Sequence, residues 1–202
     1  MTEKRIGIVY RSQPHKEADK RVFILTEGGP FSAVVKGAKK EAARLKSFVE
    51  PFSFCEFTFF NRNDYYQVIG ASPVFDFKSE LLKDYDRLTA ASVILEAGVK
   101  SFDGEFEYLI DTLKALIISN NHLLTIIRFV QHTIHSSGYG YEYQVYDAVE
   151  SPLQLLSYIN YNENTDDLKI EKSLIKKTLN IIIKNFEDKF EVKIKSMAAI
   201  CE

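Results

Sequence analysis

The sequence predicts an α+β chain, a five-stranded N-terminal β-barrel followed by an all-α helical domain, and three observations predict it. From residue 4 to about 77 the apolar residues recur with a period close to two. A Lys-, Ala-, Glu- and Arg-rich stretch, Gly37 to Lys46, interrupts that block between its third and fourth strands. After Phe77 the apolar period lengthens to the ~3.6 of amphipathic helices and stays there. The expected domains are therefore residues 1–77 and 78–202, with no repeat or free linker between them.

In the first block, Ile6, Ile8 and Tyr10 alternate with Gly7 and Val9, which predicts a half-buried strand ending at a turn around Gln13-Pro14-His15. Arg21 to Thr26 is a second strand, bounded by Gly28-Gly29-Pro30, whose glycines tolerate a tight turn. Phe31 to Val35 is a third, hairpinned to the second, and Gly37 to Lys46 is a short helix or ordered loop inserted after it. Phe52 to Phe60 is the fourth strand. Its Phe52 and Phe54 share one parity and its Phe57 and Phe59 the other, a slip expected of a β-bulge where a strand bends to close a barrel. Tyr65 to Ala71, continuing past Pro73 to Phe77, is the fifth. Five strands with an insertion after the third make an OB-fold barrel, although the strand count by itself also suits an SH3-like barrel.

In the second block, Ser79 is placed to cap a helix with the stripe Leu81, Tyr85, Leu88, Ala91 and Leu95, ending near Gly98. Phe106 to Ile117 and Leu123 to Ile134 carry two further apolar stripes. A tyrosine-rich connection over residues 136–150 leads to a short helix after Ser151-Pro152. A polar loop, Asn160 to Asp167, precedes a last helix with the stripe Ile175, Leu179, Ile182, Phe186 and Phe190.

Composition excludes several function classes. Hydrophobic residues make up 46% of the 202, and only 9 Gly and 5 Pro occur, so the chain is not a low-complexity or disordered one. No apolar run approaches the roughly 20 residues that span a bilayer, and the N-terminus enters a strand pattern without a leader-like apolar segment. A cytoplasmic protein with no membrane partner is expected. Two cysteines, Cys55 and Cys201, are too few for a disulfide framework or a structural zinc site.

Nothing in the chain forms a catalytic constellation, so no enzyme, metal or cofactor is expected. His132 and His135 stand three apart on one helix but lack a third ligand of matched spacing. Gly138-Tyr139-Gly140 is followed by no Lys-Ser or Lys-Thr and opens no helix, so it is a turn rather than a phosphate loop. Cys55 lies among phenylalanines with no base in view. The acidic pairs Asp166-Asp167 and Glu187-Asp188 read as solvated faces.

Charge is the informative signal. Residues 1–50 hold 11 Lys and Arg against 6 Asp and Glu, a surplus of 5, whereas the remainder holds 15 against 22, a deficit of 7. The front of the chain is suited to a polyanion and the back to packing or protein binding. Lys36, Lys39, Lys40, Arg44 and Lys46 fall around Gly37, and Arg11, Lys20 and Arg21 sit at strand ends that a barrel brings nearby. Such cations neutralise phosphates without reading sequence. Tyr10, Phe31, Tyr65 and Tyr66 are candidate base-stacking rings, with barrel core as their other reading.

The segments Tyr10-Arg11-Ser12, Glu17-Ala18-Asp19-Lys20, Leu25-Thr26-Glu27, Ser32 through Lys40, and Leu45-Lys46 through Glu50-Pro51-Phe52, in that order, resemble the N-terminal barrel of the bacterial recombination mediator RecO family. More weakly, Arg128-Phe129 ahead of Gly138-Tyr139, and Lys193 through Ser196, resemble the family's helical domain and C-terminal segment. The resemblance implies an OB-fold and a helical domain without enzymatic activity. It implies binding of single- and double-stranded DNA, annealing of complementary strands, and loading of the recombinase RecA with the partner RecR at the nucleoid. It further implies a contact with the acidic C-terminal tail of single-strand-binding protein (SSB). The family's basic barrel residues carry over onto Arg11, Lys20, Arg21, Lys36, Lys39 and Lys40. Arg128 matches the arginine region of the tail contact, with Ile127 and Val130 as its apolar neighbours. Three departures stand out. No cysteine occurs in residues 139–150, where many members carry a four-cysteine zinc module; Pro30 replaces a common basic or polar turn residue; and the helical block is acidic. An adaptor that recruits replication and repair proteins, without strong DNA binding of its own, is the alternative function.

Overall fold

The structure is a computed structural model that describes residues 1–40, 44–62, 65–102, 104–140, 142, 144–146, 148–162 and 170–200. The chain divides into two compact units, one of Met1–Lys83 with Phe102–Glu107 and one of Asp84–Ser101 with Tyr108–Glu202.

The first unit is built on five strands: β1 (Thr2–His15), β2 (Asp19–Thr26), β3 (Gly29–Val35), β4 (Phe54–Arg62) and β5 (Tyr65–Phe75). They close into a barrel in the order β1-β2-β3-β5-β4, with β3 and β5 parallel and the other neighbours antiparallel. This is the OB-fold order, closed between β3 and β5 at the pair Val34–Gln67. Val9, Val22, Ile24, Ala33, Val35, Cys55, Phe57, Phe59 and Val68 fill the interior.

The strand parities differ instructively from the sequence pattern. In β1 the interior residue is Val9, whereas Ile6, on the opposite parity, is 48% exposed. Gly7 is small because β2 comes so close. A Cβ there would lie 2.7 Å from Ile24 Cγ2 and 2.8 Å from the Leu25 carbonyl oxygen. The expected bulge of β4 belongs to its neighbours. Cys55, Phe57 and Phe59 alternate regularly inward, and the extra residues in the ladder with β5 are Ile69 and Val74 of β5. Phe54 serves the outer face instead, its ring 5.7 Å from that of Phe77 and 6.3 Å from that of Phe106. Phe52 precedes the strand in a left-handed conformation, φ 65°. β1 has its own bulge at Tyr10, between the pairs Val9–Ile24 and Arg11–Phe23.

Between β3 and β4 the described residues form turns and one 3-10 turn, Lys46–Phe48, rather than an α-helix. Past β5 the expected single helix is two. Asp76, not Ser79, caps the short α1 (Phe77–Leu81), and Asp84 caps α2 (Tyr85–Lys100) by accepting from the Arg87 N–H at 3.2 Å. A carboxylate near a helix start also opposes the macrodipole's positive end, which is why aspartate serves well there.

The second unit holds α2, most of α3 (Phe106–Ile118), α4 (His122–Ile134), α5 (Pro152–Tyr161) and α6 (Lys172–Phe190). Phe106 and Glu107 of α3 belong to the first unit. α4 is central, in contact with α2, α5 and α6. Its Ile126, Ile127 and Val130 are fully buried, as are Leu113 and Leu116 of α3 and Phe186 of α6. Gly98 does not end α2, which runs on to Lys100. It admits the neighbouring helices, since a Cβ there would stand 2.7 Å from Leu109 Cδ1. Ser151 and Pro152 start α5 as the sequence predicts, with the Ser151 side chain accepting from the Gln154 N–H. A terminal 3-10 turn, Lys195–Ala199, is tied to α2 through the carboxylate of Glu96. The expected loop Asn160 to Asp167 lies largely outside the described residues, as does Cys201. No helix among the described residues is long and apolar enough to cross a membrane.

Candidate nucleic-acid interface

Two connections meet at one end of the barrel and carry most of the expected cations. The β1–β2 turn, residues 16–18, lies against the start of the β3–β4 connection through backbone and side-chain bonds. Asp19 Oδ1 accepts from the Gly37 N–H at 2.9 Å, and the Ala18 carbonyl accepts from the Lys39 N–H at 3.0 Å. Gly37 sits at φ 66°, a left-handed turn position where glycine is unstrained. This docking gathers Lys20, Lys36, Lys39 and Lys40, and adds Lys16, which the charge pattern of the sequence did not single out.

The gathered lysines are not equivalent. Lys39 Nζ donates to the carbonyls of Lys16 at 2.7 Å and Glu17 at 3.1 Å, so it staples the two loops together. Lys20 Nζ pairs with Glu50 at 2.5 Å and is partly neutralised. Lys16, Lys36 and Lys40 are exposed. Arg44 and Lys46 are exposed further along the connection, beyond residues 41–43.

Arg11 and Arg21 stand apart from the loops, on the outer face of β1 and β2. Arg11 is opposite Phe23, and Gln13 is opposite Arg21, so these four side chains share one face. The Arg11 guanidinium carbon lies 5.1 Å from the centroid of the Phe23 ring, and Arg11 Nη2 donates to Gln13 Oε1 at 3.0 Å. β2 leads from this face directly to the turn, since Arg21 is followed toward the N-terminus by Lys20 and Asp19. The cations thus fall into a loop group and a face group joined by one strand. Phe23 was missed although its signal is in the sequence: Arg21 and Phe23 alternate with the buried Val22 and Ile24.

The candidate rings divide. Phe31 and Tyr66 pack on the barrel interior, Phe31 lying 5.2 Å from Phe59 and 5.2 Å from Tyr66, with Arg5 5.1 Å from each of the two. Those two rings are half-buried and pack against the core on one side. Tyr10 is half-buried, 6.1 Å from Phe23, and Tyr65 is exposed.

The remaining candidates are also placed. Cys55 is buried in the barrel, and burial pushes its thiol up to about 11, against a smaller opposing effect of Lys78. His132 stacks on Tyr108 with centroids 3.7 Å apart. Among the described residues no group of three His, Cys, Asp or Glu side chains is placed to hold a metal ion. In the helical unit, Arg128 Nη2 donates to the carbonyl of Asn162, just past α5, at 2.8 Å. Ile127 and Val130, expected to line an apolar slot beside it, are both 0% exposed and belong to the core. They offer no surface to an incoming ring, and the slot is not formed by these two residues.

A different surface of the helical unit does present apolar side chains. α5 and α6 border a groove of about 680 Å³ lined by Leu153, Leu156, Ile181 and Ile182, with Lys177 and Lys184 on its rim and Asp188 beside them. Leu153 is 55% exposed and Ile181 46%.

Comparison with known proteins adds to this geometry. Residues 1–77 match the family described as recombination protein O N terminal. The chain is 25% identical to a DNA repair protein RecO of Clostridium perfringens over 162 residues, which is 76% of this chain and 65% of that protein. It is 26% identical to the protein of that name from Clostridium acetobutylicum over 166 residues, 78% of this chain and 67% of the relative. It is also 31% identical to that of Streptomyces avermitilis over 110 residues, 50% of this chain and 44% of the relative. The chain thus spans about two thirds or less of the length of these relatives. By its closed five-stranded barrel, the family match over that barrel and these relatives, the chain is similar to the RecO proteins, and its residues 1–77 match their N-terminal domain.

Proposed function

We propose that this chain is a non-enzymatic DNA repair and recombination mediator that binds single- and double-stranded DNA through its barrel. The carrying observation is the docking of two lysine-bearing loops at one barrel end, continuous along β2 with Arg21 and Arg11. Lys16, Lys36 and Lys40 are exposed for phosphates, while Lys39 holds the loops in place. On this reading the protein anneals complementary strands and works with RecR to load recombinase onto SSB-coated DNA at the nucleoid. The names and family of the relatives support that role.

The acidic tail of SSB is assigned to the helical unit. The groove between α5 and α6 supports this better than the surroundings of Arg128, because it joins exposed apolar side chains to two lysines. The same groove favours the adaptor reading, in which protein recruitment is the main activity.

The salt dependence of single-stranded DNA binding separates the two. Each phosphate contact on a single strand contributes roughly 0.7 to the slope of log affinity against log salt, so three or four cations give a slope near ~2 to 3. A flat salt dependence, or no binding at low salt, leaves the adaptor.

A further inference from the structure

The outer face of β1 and β2 changes character along its length. At one end Ile8 faces Leu25 across the ladder, and both are fully buried. Past the bulge at Tyr10 the same face carries Arg11 opposite Phe23 and Gln13 opposite Arg21, with the exposed Ser32 of β3 opposite Phe23. Arg11 is exposed, and Phe23 and Tyr10 are half-buried. A bulge adds one residue to one strand and re-aims the side chains beyond it, so the face passes from apolar to cationic.

Arg11 is held but not neutralised. Its described partners are the Phe23 ring at 5.1 Å and the Gln13 amide oxygen at 3.0 Å, and neither carries a charge. The Tyr10 ring lies beside Phe23, their centroids 6.1 Å apart and their planes tilted by 52°. Guanidinium and aromatic planes both stack nucleobases, and a stacked pair of them presents a π-rich surface next to a phosphate-binding charge.

From this we infer that Arg11 and Phe23 form a stacking platform for one unpaired nucleobase, with Arg21 and the turn lysines taking the flanking phosphates. The inference rests on the DNA binding proposed for the barrel and adds to it a preference for unpaired bases. A duplex keeps its base faces stacked internally, so it engages the phosphate contacts but not the platform. Arg11 lies four residues from His15 at the turn, a distance of about 13 Å along an extended strand, within the ~4 to 16 nucleotides that one OB-fold covers.

The test uses the full chain, with Phe23→Leu and Phe23→Tyr as variants. Leucine keeps an apolar side chain but removes the ring, and tyrosine keeps the ring. Fluorescence anisotropy at fixed low salt measures binding to an oligothymidine, to an abasic strand of equal length, and to a duplex. The wild type is expected to favour the oligothymidine over the abasic strand. Phe23→Leu should lose roughly 5- to 20-fold of oligothymidine affinity, with abasic-strand and duplex binding unchanged, and Phe23→Tyr should keep the preference. Circular dichroism at the assay temperature separates unfolding from lost stacking. Equal losses on all three probes, or no loss on any, overturn the platform, as does a wild type that binds the oligothymidine and the abasic strand alike. A wild type that binds none of the probes removes the proposed DNA binding itself, and the platform with it.

Discussion

Glu96 is the clearest single point at which the helical unit can be perturbed. Its carboxylate accepts from Lys100 Nζ at 2.7 Å, from the N–H groups of Lys195 at 3.0 Å and Ser196 at 2.8 Å, and from Ser196 Oγ at 2.6 Å. Lys100 also reaches the carbonyl of Lys193, so the C-terminal turn is bound to α2 from both sides. Burial alone would push the Glu96 carboxyl up, but the bonds from Lys100, Ser196 and Lys195 outweigh it and bring it down from 4.5 to about 2. The side chain is 21% exposed and lies near the surface, so solvent screens part of this interaction and the shift sets an upper bound on its free energy. A fall of that size corresponds to at most about 3 kcal/mol of differential stabilisation before screening. Because the folded pKa lies below the unfolded one, this stability is fully present above the unfolded value and is lost as pH falls from about 4.5 towards 2. Glu96→Ala is therefore expected to cost about 1 to 3 kcal/mol at neutral pH, measured by urea unfolding, and to flatten the acid dependence in that window. Amide exchange at Lys195 and Ser196 should lose protection in the same variant. A variant within ~0.5 kcal/mol of wild type, with an unchanged acid slope, would refute the clamp.

Three further outcomes are expected. Changing Lys36 and Lys40 together to alanine should flatten the salt slope of single-stranded DNA binding by up to ~1.4, without regard to sequence, and an unaltered slope would make them solvated surface only. Gly7→Ala should destabilise the barrel by about 1 to 3 kcal/mol in thermal unfolding, because β2 leaves no room for its methyl group. In a Cys201→Ser background, Cys55 should react with a thiol reagent at pH 8 only on unfolding, since burial holds its thiol up at about 11; rapid native labelling would contradict its buried placement.

Period and composition were sufficient, without tertiary structure, for the barrel-then-helices order, since alternation and a 3.6-residue stripe are local consequences of which side chains must be buried. The cap at Ser151-Pro152 and the stripe of α6 were equally legible, because each is defined by its own neighbours in sequence. The regularity of β4, whose two parities are the two faces of one unbulged strand, was not. Phe52, Phe54, Phe57 and Phe59 look alike on paper, and only the packing of Phe77 and Phe106 against Phe54 shows that the outer face of this strand is buried too. The split at Leu82 to Asp84 was hidden for a related reason: Asp76 and Asp84 each have a backbone N–H to accept, whereas Ser79 donates to Asp76 from inside the first helix.

The candidate interface divides the same way. Its lysines were visible as a charge surplus, but a lysine that donates to two carbonyls and one that stands in solvent have the same letter. The docking of the β1–β2 turn on the β3–β4 connection, over more than 20 residues of sequence, is what distinguishes Lys39 from Lys36 and Lys40. Arg128, Ile127 and Val130 show the limit most directly. Adjacency along a helix suggested a cation beside an apolar slot, yet successive residues are about 100° apart, and the tertiary core took the two apolar ones. Which side chains are left for a partner is settled by what the rest of the fold has already buried.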